Sequence, residues 1–254
     1  MTEMKLLGFD IETSRIPSKM AVDPTGKMAE DGSPVMVEVI DNDFDRGALE
    51  VYCAALTPYA NGKRGESITF SGRDRTMSVP LLVAMVDAMQ EFVDCDYQIV
   101  AHNGLSFDMQ IIYAMTHDTR LQAMAMHNMI DQCFGAVSAV GYGVGLKAVV
   151  AGYGLAGKME DMDGSKVEEM WRRSPEDDEI VLGYVTQDAW AGVEAVIAHQ
   201  KAGVFRWISK GGRPMTNYTI GALDTPADAI RYPRPNTSWM SQPINRDATF
   251  EWTQ

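Results

Sequence analysis

Asp10 and Glu12 stand two residues apart in Lys5-Leu6-Leu7-Gly8-Phe9-Asp10-Ile11-Glu12-Thr13. Residues 4–12 read as a short apolar strand, and strand side chains alternate faces with period two. Both carboxylates therefore leave one face, close together, at the strand's C-terminal end. Like charges held side by side repel. A chain tolerates that where the strand end is wet, or where a cation sits between them. Two further segments set carboxylates in a defined local frame. Asn103-Gly-Leu-Ser-Phe107-Asp108 spans a point where a strand turns into a helix. Tyr184-Val-Thr-Gln-Asp188 lies inside the last long helix. Positions i and i+4 there place the phenol and the carboxylate on one face, a turn apart.

The elements that must position these groups can be read in order. Leu49–Leu56 is rich in strand formers, and the turn-like Asn61-Gly62-Lys63 leads to Ser67–Phe70. Together they predict two antiparallel strands that continue a meander from the first. Apolar residues at helical spacing predict a helix over Val79–Val93, with Pro80 tolerated in its first turn. Gln98–Ala101 reads as a short strand running into His102-Asn103-Gly104, followed by helices over Phe107–Met115 and about 119–129. Leu146–Gly152 and Lys166–Arg173 read as helices. Pro175 opens a long helix over about 177–201, its acidic first turn favoured by the helix dipole. Strands, helix, strand and then helices predict a mixed α/β layer. The polar stretch 14–47, with Pro17, Pro24 and Pro34, reads as an irregular insertion in a domain over 1–202. Residues 203–254 form an extension with five prolines and, among its aromatics, Phe205, Trp207, Trp239 and Trp252 as candidate anchors. Its expected course is over the surface of its own domain, the alternative being a free binding arm.

Composition narrows the function classes. The chain has 254 residues, 46% of them hydrophobic, which suffices for one sizeable core. A formal charge of −13 argues against a non-specific polyanion binder. It does not argue against a nucleic-acid enzyme whose clustered carboxylates hold cations. Cys53, Cys95 and Cys133 are isolated and odd in number, which points to a reducing compartment and no zinc site. No signal pattern opens the sequence, and no apolar run approaches the roughly 20 residues of a membrane span. A soluble cytoplasmic protein with no membrane partner is expected. The four histidines show no ligand spacing, and the many methionines suit core gaps.

Together, the three motifs resemble those of the DEDD superfamily of 3′-to-5′ exonucleases, tyrosine subgroup, which have a ribonuclease-H-like fold. The similarity is to the proofreading domains of family-B DNA polymerases and their stand-alone relatives. Phe9-Asp10-Ile11-Glu12-Thr13 is similar to the first exonuclease motif, and His102-Asn103-Gly104 with Phe107-Asp108 to the second. Tyr184 to Asp188 is similar to the third. Gly145-Leu146-Lys147-Ala148-Val149 through Gly154-Leu155 resembles the helix between the second and third. The resemblance covers residues 4–200 in motif order and does not cover 14–47 or the extension. It implies an α/β ribonuclease-H-like fold with a mixed central sheet flanked by helices. It also implies hydrolysis of phosphodiesters by two divalent cations, Mg²⁺ or Mn²⁺, roughly 3.5–4 Å apart. Asp10 would bridge both cations, Glu12 and Asp188 would hold the one that activates water, and Asp108 would support the other through water. Tyr184 would orient the attacking water. Thr13, Asn103 and Phe107 would lie near the terminal nucleotide, whose base would stack on an apolar wedge. The implied partners are single-stranded DNA or frayed 3′ ends, with RNA left open. Replication, repair or a defence system is the implied setting.

Each piece also has an ordinary reading. A D-x-E at a strand end is common, Asn103 and Asp108 suit a helix entry, and Tyr184 with Asp188 could be a half-buried helix face. Their joint order at element boundaries favours chemistry. Gly141-x-Gly143-x-Gly145 fails the dinucleotide-loop spacing, because Leu146 occupies the last position. Asp10-Ile11-Glu12-Thr13 also resembles the D-x-D-x-T motif of haloacid-dehalogenase-like phosphatases, but Glu12 stands where the second aspartate is needed. A non-catalytic nucleic-acid-binding scaffold is the third alternative; all four carboxylates and the tyrosine are nevertheless present.

Overall fold

The computed structural model describes residues 4–15, 20–22, 28, 36–38, 49–72, 76–156, 164–171 and 173–254. Most of the expected insertion at 14–47 lies outside these residues. In chain order the strands begin with β1 (Leu6–Arg15), the short pair β2 (Met20–Val22) and β3 (Met36–Glu38), and β4 (Leu49–Ala60). Next come β5 (Lys63–Arg64), β6 (Ile68–Ser71), α1 (Val79–Asp94) and β7 (Gln98–Val100). Then follow α2 (Asp108–Thr116), α3 (Arg120–His127), β8 (Met129–Ile130), α4 (Gln132–Val140) and α5 (Leu146–Gly152). The chain continues through α6 (Gly164–Trp171), α7 (Pro175–Ala202) and the hairpin of β9 (Phe205–Ile208) and β10 (Pro214–Asn217). It ends with α8 (Pro226–Ala229) and a 3₁₀ turn over Asp247–Thr253.

The central sheet has the order β5-β4-β1-β7-β8, with β6 also on β4. β1, β7 and β8 run parallel, and β4 lies antiparallel to β1. This is a mixed, partly parallel α/β sheet flanked by helices. Alternation along β1 divides the layers. Leu7, Phe9 and Ile11 enter a core with α1, α2 and α3, including Leu82, Met85, Ile112 and Met124. Leu6 turns the other way, onto Val193 and Val196 of α7. Among the described residues no helix is long and apolar enough to cross a membrane.

Local signals explain most boundaries. Ser174 caps α7 by accepting from the Asp177 N–H, Pro175 occupies its first turn, and Gly203 ends it at φ 63°. β1 runs to Arg15, beyond the expected end at 12, because β4 pairs with it as far as Arg15–Leu49. α4 occupies a stretch for which no helix was expected; Asp131 caps it through the N–H groups of Cys133 and Phe134. In the extension, Phe205 and Trp207 are buried with Val149, Val150, Ala191 and Ala195, while Trp239 is 68% exposed. Trp252 packs beside the main core and donates its indole N–H to the Leu105 carbonyl at 2.8 Å.

Candidate metal centre

Asp10 and Glu12 leave the α7 side of β1, as period two requires. Asp188 meets them from α7. One carboxylate oxygen from each of the three lies within 4.8 Å of the others. The residue that permits this is Gly8. A Cβ there would fall 2.3 Å from the Ala189 carbonyl oxygen and 2.8 Å from Val193 Cγ2. The helix therefore crosses β1 in backbone contact, and the residue beside Ala189 is Asp188. Gly8 was read in the sequence only as part of an apolar strand. What sets its role is the helix crossing 181 residues later, and no local pattern records that.

Asp108 arrives differently. The Gln98 N–H donates to the Lys5 carbonyl at 3.0 Å, so odd residues of β1 direct their backbone groups toward β7. β7 ends at Val100, opposite Gly8, so Ile11 lies beyond the last residue of β1 paired with it. Asp108 Oδ1 accepts the Ile11 N–H at 3.3 Å, in the middle of Asp10-Ile11-Glu12. The side chain thus bonds β1 beyond the end of β7, and it is 4% exposed. Asp108 is the first residue of α2, one residue after the expected start at Phe107, and it sits beside the carboxylate trio rather than within it.

The turn before it is tightly bonded. Asn103 adopts φ 71°, a region that asparagine tolerates better than most residues. Its N–H donates to Asp131 Oδ1 at 3.0 Å, and its side-chain oxygen accepts from Ser106 Oγ at 2.5 Å. Asn103 is exposed, while Phe107 is half-buried against the main core. His102 lies 2.7 Å through Nε2 from the Val144 carbonyl. Asp131 was not singled out from the sequence, although its place before an apolar nine-residue stretch was the signal of a helix cap.

Tyr184 and Asp188, 4% and 5% exposed, share the sheet-facing side of α7. Thr13 follows an irregularity in β1–β4 pairing. Glu12 opposes Cys53 and Thr13 opposes Val51, so Tyr52 is an extra residue of β4. The bulge turns both Tyr52 and Cys53 toward α7, where they join Val181, Tyr184 and Val185. Tyr52 stacks on Trp171 at 5.2 Å. Burial first, and then the Glu12 carboxylate, pushes its hydroxyl far above the usual phenol range. The Cys53 thiol is raised by burial, then by Glu12 and Asp10. The donors that the trio itself offers are carboxylate oxygens. An all-oxygen set of this kind fits a hard cation such as Mg²⁺ or Mn²⁺.

No family model, no curated protein and no solved structure matches the chain.

Proposed function

We propose that the chain is a metal-dependent 3′-to-5′ exonuclease of ribonuclease-H-like fold that removes nucleotides from nucleic-acid ends, DNA being the better-supported substrate and RNA left open. The observation that carries this reading is the convergence of Asp10, Glu12 and Asp188 within 4.8 Å. Asp108 on the Ile11 amide supports it. Three segments far apart in sequence supply these groups, and they are the segments whose motifs resemble the exonuclease set. The mixed sheet with flanking helices is compatible with the fold. The polarity and the choice of DNA as substrate come from the motif resemblance.

Asp10, Glu12 and Asp188 would hold Mg²⁺ or Mn²⁺, with Asp108 supporting a second ion through water. Bound there, the cations supply a lowered pKa for the attacking water and charge neutralisation at the scissile phosphate. The chain's own residues do the rest. Tyr184, one turn before Asp188, orients the water by hydrogen bonding; a phenol at neutral pH suits that better than proton abstraction. Asn103 and Phe107, at the mouth of the turn, contact the terminal nucleotide, and Thr13 borders it from the end of β1. The fixed carboxylates arrange the reacting groups before the reaction starts, which is where most of the rate gain arises.

Single-stranded DNA and RNA labelled at the 5′ end test the proposal. In Mg²⁺ or Mn²⁺ a descending ladder is expected, and EDTA removes it. Equal activity in EDTA contradicts a metal mechanism, and a labelled mononucleotide as the first product reverses the polarity.

A further inference from the structure

The turn between β7 and Asp108 is gripped from two sides at Leu105, which is fully buried. Its N–H donates to Asp131 Oδ2 at 3.1 Å, and its carbonyl accepts from Trp252 Nε1 at 2.8 Å. Asp131 is 4% exposed, and its other oxygen accepts the N–H groups of Asn103, Cys133 and Phe134, each at 3.0 Å. Trp252 is itself anchored. Gln122 of α3 donates to its carbonyl at 2.8 Å, and its ring stands 5.3 Å from that of Tyr113 on α2. Phe250, two residues earlier, meets Phe134 of α4 edge-on at 6.1 Å.

We propose that Trp252 is a positioning residue for the site: with Asp131 it clamps the Leu105 peptide and so fixes Asn103 and Asp108 against β1. A buried carbonyl that loses its donor must turn toward another partner. Asp108 follows Leu105 by three residues, so a shift of that peptide moves the carboxylate off the Ile11 amide. The extension thus completes the turn of the second motif. The activity arm of the test rests on the exonuclease reading; the structural arm does not.

Trp252→Phe keeps the ring and removes the donor. Its melting temperature should fall by about 2–4 °C at most. With 5′-labelled single-stranded DNA and Mg²⁺, kcat should drop roughly 10- to 100-fold, as a misplacement near 1 Å does, with KM little changed. Amide exchange should speed up across 102–108 while the amides of α1 keep their protection. Trp252→His, which retains a ring N–H, should recover part of both. Wild-type kcat together with unchanged exchange in Trp252→Phe overturns the clamp. So does a loss in both variants that only tracks lowered stability. If the wild-type chain degrades no oligonucleotide, the exonuclease reading fails, and the exchange result alone decides the clamp.

Discussion

Asp10, Glu12 and Asp188 are three carboxylates with one oxygen of each brought within 4.8 Å of the others, and the fold supplies the energy that holds them there. At about 4 Å two unit charges repel by about 1 kcal/mol in water and by about 4 kcal/mol in a surface-like medium. Removing one carboxylate removes its share of that repulsion from the metal-free chain. Asp10→Asn should raise the metal-free melting temperature by about 2–4 °C, on the basis of about 1 kcal/mol. It should abolish any stabilisation by Mg²⁺, which differential scanning calorimetry with and without the ion would show. Turnover should fall by on the order of 10²–10³-fold, as when a preorganised electrostatic group is lost. A variant that is less stable without metal, yet still stabilised by it, would place the ion elsewhere.

At the scale of elements, the contact that builds the site is β1 against α7. Gly8 has no Cβ, and 2.3 Å to the Ala189 carbonyl leaves no room for one. Gly8→Ala should cost about 1–3 kcal/mol through overpacking and should displace Asp188 from its partners. Chemical denaturation measures the first effect, and Mg²⁺ titration of the variant measures the second; unchanged metal affinity would show that α7 tolerates the shift. Legibility divides at the same place. Asp10 with Glu12, and Tyr184 with Asp188, are local patterns of period two and i+4, so sequence alone exposes them. Gly8, Asp131 and Trp252 act through partners that only the folded chain brings near. The Trp252 bond to Leu105 spans 147 residues. The bulge at Tyr52 was hidden because its strand reads as an unbroken run of strand formers. The α/β class was legible from element order. The reach of β1 to Arg15 was not, because β4 imposes it from outside.

For the whole molecule, the extension and the long helix are joined around a buried histidine. His199 is 1% exposed, lies 3.3 Å through Nδ1 from Gln132 Nε2, and packs between the rings of Tyr153 and Phe205. Burial pushes it from 6.5 down to about 4, with the Ile220 backbone and Asp224 opposing only in part. The folded chain keeps the ring neutral, whereas the unfolded chain protonates it near the ordinary value. Its stabilisation is complete above about pH 6.5 and is lost as the pH falls toward 4, by roughly 2–3 kcal/mol in total. Urea midpoints between pH 7 and 4 should follow that slope, and His199→Gln should flatten it; an equal slope in the variant would assign the acid limb to carboxylates alone.

The carboxylate trio as a metal centre is best tested without nucleic acid, by isothermal titration of Mn²⁺ into the chain and into Asp188→Asn. Saturable binding to the wild-type chain that is lost or strongly weakened in the variant is the predicted result. No saturable binding, or the same affinity in both proteins, would contradict a metal centre built from Asp10, Glu12 and Asp188.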